Sequence, residues 1–141
     1  GARFILPPSS ASSATSTTPL VLTDISPKSR INHEETFAPC LAVLVGKDTE
    51  EMIALANAHE TGLSSSIFTA DYKEALDIAK RLDTGAVHIN AMTVHDQHVL
   101  PHGGQKASGW GRYNAKGAIE AFTQTKNITM QNPHHLPLEA L

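Results

Sequence analysis

The chain has 141 residues, 40% of them hydrophobic and 18% charged, with a net charge of −3 at pH 7. That length can bury roughly two-thirds of its unfolded surface, enough for one core, and the weak negative charge exerts no long-range pull on phosphates, so nucleic acid and anionic membrane are set aside as main partners. No apolar run approaches the roughly 18 residues that cross a bilayer, and the single cysteine, Cys40, cannot close an internal disulfide, which removes the main sign of a secreted scaffold without proving a cytosolic one; the cytoplasm is the expected compartment. The sequence starts at Gly1 without a methionine or a charged leader, and it reads as a fragment or a processed chain with no visible targeting signal.

In chain order, Ala2 to Leu6 is a short apolar run stopped by Pro7 and Pro8, and Leu20 to Leu22 is a second, stopped by Asp24 and Pro27. Between them residues 9–18, SSASSATSTT, are uncharged and of low complexity, and read as a floppy loop insertion. Leu41 to Val45 is a continuous aliphatic run between Pro39 and Gly46, the pattern of a strand buried on both faces. Asp48 stands three residues before Glu51, and Asp71 three before Glu74, each pair an N-cap with a carboxylate in the first turn. The helices they open carry apolar faces through Met52, Leu55, Ala56 and His59, and through Ala75, Ile78, Ala79 and Leu82, with Gly62 and Gly85 closing the two helical regions. Ser64 to Thr69 and Ala86 to Ile89 read as strands. Strand, helix, strand, helix, strand is the order of a parallel βαβ arrangement, so the fold class is α/β, part of a mostly parallel sheet flanked by helices. A long loop follows Asn90, Lys116 to Phe122 reads as a last short helix, and Gln124 to Met130 as a final strand with no partner adjacent in sequence.

The densest signal is Pro101 to Arg112, PHGGQKASGWGR, where four glycines, a lysine and an arginine share twelve positions. Such a segment has its path set by close backbone approach, and Trp110 is out of place in a flexible tether. Gly103, Gly104, Lys106, Ser108, Gly109, Gly111 and Arg112 match GGxKxSGxGR, which resembles the motif of aldehyde dehydrogenases. EETFAP at Glu34 to Pro39 resembles the family's EExFGP, with Ala38 in place of the glycine, and EEMIALANAHETGLSSSIFT and GAVHIN resemble the segments that follow. Order and spacing agree from Pro19 to about Met130, so the resemblance is to the C-terminal part of the aldehyde dehydrogenase fold. The VHD loop and PHGG in place of PFGG are most similar to the branch acting on aromatic aldehydes of the salicylaldehyde and vanillin type.

The resemblance implies an aldehyde substrate and NAD or NADP as cofactor. It places the nucleophilic cysteine, the oxyanion asparagine, the general base and the dinucleotide fold upstream of the matched part, so no catalytic residue is assigned here and the isolated chain is expected to be inactive without the N-terminal part of the same enzyme. Glu35 matches the glutamate that accepts hydrogen bonds from the nicotinamide-side ribose, and Phe37 the aromatic residue beside the nicotinamide. Thr93, Val94, His95 and His102 fall on the loop that lines the aldehyde tunnel, His102 replacing a phenylalanine. FTQTKNITM resembles the strand that pairs with a neighbouring subunit, implying a homo-oligomer. The domain reading is therefore 1–123 for the catalytic part, 124–131 for the oligomerisation strand and 132–141 for a tail.

The residues also admit blander readings. Glu34 and Glu35 read alone are solvated charges and Phe37 is core; only the EExF match reverses this. Cys40 follows Pro39 at the mouth of an aliphatic strand without a cationic neighbour, the setting of a buried, inert thiol. His95, His98 and His102, with Asp96 between, have a spacing that could bind a metal on a helix, but Pro101 and Gly103 argue for a loop, so no metal is expected. His134 and His135 read as exposed tail residues. Two other functions stay open from residues alone: a silent interaction module using its terminal strand for β-augmentation, and a metal-dependent hydrolase built on the histidine loop.

Overall fold

The computed structural model describes residues 1–7, 18–26 and 28–131; the expected loop at 9–18 lies, Thr18 apart, outside the described residues, as do His134, His135 and the tail expected at 132–141. The elements are β1 (Arg3–Leu6), β2 (Leu20–Thr23), a 3-10 turn (Arg30–Asn32), β3 (Cys40–Ala42), α1 (Thr49–Asn57), β4 (Thr61–Gly62), β5 (Ser64–Ile67), α2 (Tyr72–Ala79), β6 (Ala86–Ile89), β7 (Gln105–Lys106) and α3 (Ala115–Phe122). Parallel pairing joins β2 to β3 and β5 to β6, while β1 pairs with β2, and β4 with β7, in antiparallel fashion. The α/β class holds, with the ladders divided into three small sheets instead of one.

The βαβ unit β5–α2–β6 is the best ordered by local chemistry. The Asp71 carboxylate accepts from the amides of Lys73 and Glu74 at 2.9 and 3.0 Å, capping α2, and Ala75 on its inner face is fully buried. β5 ends at Ile67, short of the expected Thr69, because the Asn90 side chain takes over there: its Oδ1 accepts from Thr69 N at 3.0 Å and its Nδ2 donates to Thr69 O at 2.9 Å. In α1 the Asp48 carboxylate accepts from Glu51 N at 2.8 Å as expected. Its buried residue is Ile53; Met52 lies at the margin beside Gly46 and is 51% exposed. The helix ends at Asn57, so His59 lies beyond it and is not part of the apolar face.

Three expectations change. Gly62 and Gly85 are not helix ends; they are points where backbones nearly touch, since a Cβ on Gly62 would meet the Asp83 carbonyl and one on Gly85 the Gly103 carbonyl. The strand expected over Leu41–Val45 spans Cys40–Ala42, and Leu41 and Val45 are 58% and 84% exposed because no described segment covers that side. Gln124 to Met130 is exposed throughout and forms no strand among the described residues: an extended segment needs a partner's backbone to become one, and none of the described chain reaches it. No helix among the described residues is long and apolar enough to cross a membrane.

Candidate cofactor and substrate site

The segment leading into β3 sorts its two adjacent carboxylates. Below it, the Glu34 amide donates to Arg30 O at 2.8 Å, and the Arg30 guanidinium grips the Glu34 carboxylate through Nε at 2.9 Å and Nη2 at 2.7 Å. That hydrogen bonding holds the Glu34 carboxyl below its ordinary range. Glu35, one residue on, makes no hydrogen bond or ion pair among the described residues, and its side chain lines three adjoining cavities of about 270, 290 and 320 Å³. Glu34 is therefore spent on structure, and Glu35 keeps its acceptor capacity.

Phe37 has φ 45°, and 94% of its surface is exposed. A left-handed backbone costs a non-glycine residue about 1–2 kcal/mol, and an uncovered ring adds the lost burial of a large aromatic. The expectation that Phe37 might be plain core is thus overturned: its ring faces outward on a strained turn, an arrangement that points to a ligand or another surface. Cys40 is half-exposed instead of buried, and lines the 290 Å³ cavity with Glu35 and His59.

The glycine-rich segment builds the far wall. Its β7 pairs with β4, the Gly62 amide donates to Ser108 Oγ at 2.9 Å, and the Ala107 amide donates to Glu60 O at 3.0 Å. Lys106 Nζ reaches across to donate to Asn57 O at 2.8 Å and His59 O at 3.1 Å, fastening the end of α1. Arg112 Nη1 donates to the carbonyls of Gly104 and Gly111, both at 2.8 Å, and folds the loop on itself. Gly103 and Gly104 have no room for a Cβ, which would meet Gly111 O and Ser108 Cβ. Trp110 is left 99% exposed.

His102 is in register with Tyr113, each amide donating to the other's carbonyl at 2.9 Å, with ring centroids 5.0 Å apart. It lines a cavity of about 420 Å³ with Leu63, Gly103, Ser108 and Arg112. Leu63 and Ser108 also line the 270 Å³ cavity of Glu35, so the two cavities share a wall. Thr93, Val94 and His95 stand outside both cavities. The Thr93 carbonyl accepts from Ser64 Oγ at 3.1 Å, Val94 is 85% exposed, and the His95 ring stacks edge-on to His88 at 5.6 Å. No group of three or more His, Cys, Asp or Glu side chains able to hold a metal ion occurs among the described residues. Asn57 at the end of α1, Thr61 on β4 and Leu63 between β4 and β5 escaped the sequence reading: nothing in their local pattern marks which residues will line a cavity. Ser108 carried a signal, its place in the glycine motif.

Residues 2–128 match the aldehyde dehydrogenase family. The chain belongs to that family. It is 43% identical over 121 residues to a vanillin dehydrogenase of Pseudomonas sp. (strain HR199 / DSM 7063), a match covering 85% of this chain and 25% of that enzyme. Among solved structures it is similar to a salicylaldehyde dehydrogenase from Pseudomonas putida G7 complexed with salicylaldehyde, with a TM-score of 0.81 and 33% identity over 94% of this chain and 28% of that one. A Mycobacterium tuberculosis aldehyde dehydrogenase complexed with NAD+ is likewise similar, with a TM-score of 0.79 and 33% identity over 88% of this chain and 26% of that one. The chain thus spans about a quarter of the length of these relatives. The Glu35 and Phe37 pair fits a dinucleotide: the carboxylate has both oxygens free of the described protein for hydroxyl donors, and the ring presents an open face.

Proposed function

We propose that this chain is a segment of an NAD(P)-dependent aldehyde dehydrogenase that oxidises an aromatic aldehyde to the carboxylic acid. The observation that carries the proposal is the Glu35 carboxylate, unpaired among the described residues, two positions from the exposed, strained Phe37 and lining a cavity that adjoins the one lined by His102. Glu35 holds the ribose on the nicotinamide side by accepting from two hydroxyls, and Phe37 walls the nicotinamide and keeps water from its face. The cofactor, NAD or NADP, supplies the two-electron acceptor when bound. His102 and the loop through Thr93, Val94 and His95 shape the aldehyde site. The reacting thiolate and its base come from another segment: the only cysteine is Cys40, and no cation or base is bonded to it among the described residues. On this reading residues 1–123 belong to the catalytic part, and the exposed Ile128 and Met130 on 124–131 meet a second subunit of a cytoplasmic homo-oligomer.

The test is Glu35→Gln in the enzyme that carries this chain, followed by the absorbance of reduced nicotinamide with benzaldehyde as substrate. Losing charge assistance to one or two hydroxyl bonds lowers turnover about tenfold, corresponding to roughly 1.4 kcal/mol, with a smaller change in cofactor affinity. The chain by itself gives no reduction. Unchanged turnover in the variant, or cofactor reduction by the chain alone that Cys40→Ala abolishes, refutes the proposal.

A further inference from the structure

Residues 92–100 are all exposed, so burial does not give this loop its shape. Polar contacts do. At its start the Ser66 and Ser64 hydroxyls on β5 donate to the carbonyls of Ala91 and Thr93 at 2.7 and 3.1 Å. In its middle, Asn114 Nδ2 donates to Asp96 Oδ1 at 2.8 Å and approaches Gln97 O at 3.5 Å, while the Ala115 amide donates to His98 O at 3.1 Å. Asn114 is the N-cap residue of α3, yet its side chain makes no capping bond to that helix. Asparagine is among the best N-caps through its Oδ1, and here that oxygen takes no helix amide while Nδ2 donates to the loop. Asn114 and Ala115 hold φ values of 65° and 45°, a left-handed turn that side chains disfavour and that the contacts to the loop accompany. The same Asp96 carboxylate lies 3.8 Å from His102 Nδ1.

We propose that Asp96 and Asn114 form a clasp that fixes the 93–100 loop and the His102 imidazole, and so set the preference for ring-hydroxylated over unsubstituted aromatic aldehydes. The proposal rests on the aldehyde dehydrogenase reading above. Both are positioning residues: their effect passes through the loop and through His102, which lines the 420 Å³ cavity and meets the substrate ring there. The clasp joins the loop to the first turn of α3, so the loop keeps one shape before substrate arrives, and the ordering cost is not charged to binding.

The experiment measures kcat and KM in the full-length enzyme for 2-hydroxybenzaldehyde, benzaldehyde and a short aliphatic aldehyde. Asp96→Ala removes the shared acceptor. Asn114→Gly removes the amide while keeping a residue at ease with the left-handed backbone, so it reports even where the first variant fails to fold. Each single variant shifts the hydroxylated-to-unsubstituted ratio of kcat/KM about fivefold, mainly through KM, and the double variant shifts it no further than Asp96→Ala does, because Asn114 acts through the hydrogen bond to Asp96. Asp96→Asn, which keeps an oxygen for Asn114, restores the loop, and turnover of the aliphatic aldehyde stays within about twofold throughout. An active wild type whose ratio is unchanged in both single variants, or whose shifts multiply in the double variant, overturns the clasp alone. A wild type that oxidises no aromatic aldehyde overturns the functional reading and the clasp with it.

Discussion

Replacing Lys106 with methionine isolates the contribution of one ammonium group to the chain around Asn57 and His59, which line the 270 Å³ cavity. Helix α1 has no basic residue in its last turn, and the Lys106 ammonium arrives from β7 to donate to Asn57 O at 2.8 Å and His59 O at 3.1 Å, with its side chain 25% exposed. Each such bond from a charged donor contributes about 1–1.5 kcal/mol at this partial burial, and a cation at a helix C-terminus adds about 0.3–1 kcal/mol. The Asp83 carboxylate at 3.6 Å is 60% exposed and adds little. Methionine keeps the stem length, and the left-handed backbone at φ 54° costs both residues alike, so strain cancels in the comparison. The sum is about 2–4 kcal/mol, which is a roughly thirty- to several-hundred-fold increase in local opening. Hydrogen exchange of the full-length enzyme, read at the α1 amides and at β6 as an internal control, measures it. Protection should fall at the C-terminal turn of α1 and hold at β6. A change under about threefold at α1, or an equal loss at both places, refutes the argument.

Two further outcomes follow from other contacts. A Cβ at Gly85 would meet the Gly103 carbonyl and stand 2.8 Å from Gly103 C, backbone atoms that cannot turn aside, whereas one at Gly111 meets nothing within 4 Å. Gly85→Ala therefore costs more than about 3 kcal/mol in a denaturant titration while Gly111→Ala stays within about 1 kcal/mol, and equal midpoints would show the close approach to be unimportant. The Arg81 guanidinium grips the Glu50 carboxylate, with Nη1 at 2.8 Å from Oε1, and joins α1 to the end of α2; this hydrogen bonding, with the attraction between the charges, lowers the Glu50 pKa from 4.5. A depressed carboxyl stabilises the fold above its unfolded pKa and ceases to as pH falls through its folded one, so the stability gap between wild type and Glu50→Gln should be present at pH 7 and close below about pH 4.5. A gap that widens toward acid pH contradicts the assignment.

Local chemistry was legible in the residues. Asp48 and Asp71 cap their helices because an acceptor three positions ahead of an orphan amide needs no tertiary help, and the Ala75 face of α2 follows from its period. The β5–α2–β6 order, the glycine-rich loop and the family's Glu-x-Phe segment were equally visible, because each is a matter of residue type and spacing within one stretch. What required the fold is every decision between stretches. Residue type alone did not separate Glu34 from Glu35; the family motif pointed to Glu35, and the fold supplies the physical difference, with Arg30 gripping Glu34 and no partner for Glu35 among the described residues. Gly62 and Gly85 looked like helix endings, and became contacts between backbones brought from Asp83 and Gly103. Asn114 was one more residue before a helix until its amide was found on Asp96, 18 positions away. The aliphatic run after Pro39 looked like a doubly buried strand, but burial belongs to whatever covers a side chain, and Leu41 and Val45 have no cover among the described residues. A residue's own bonding and period are written in its neighbourhood of the chain; its exposure, its partner and the cavity it faces depend on surfaces contributed from far along the chain or from another polypeptide.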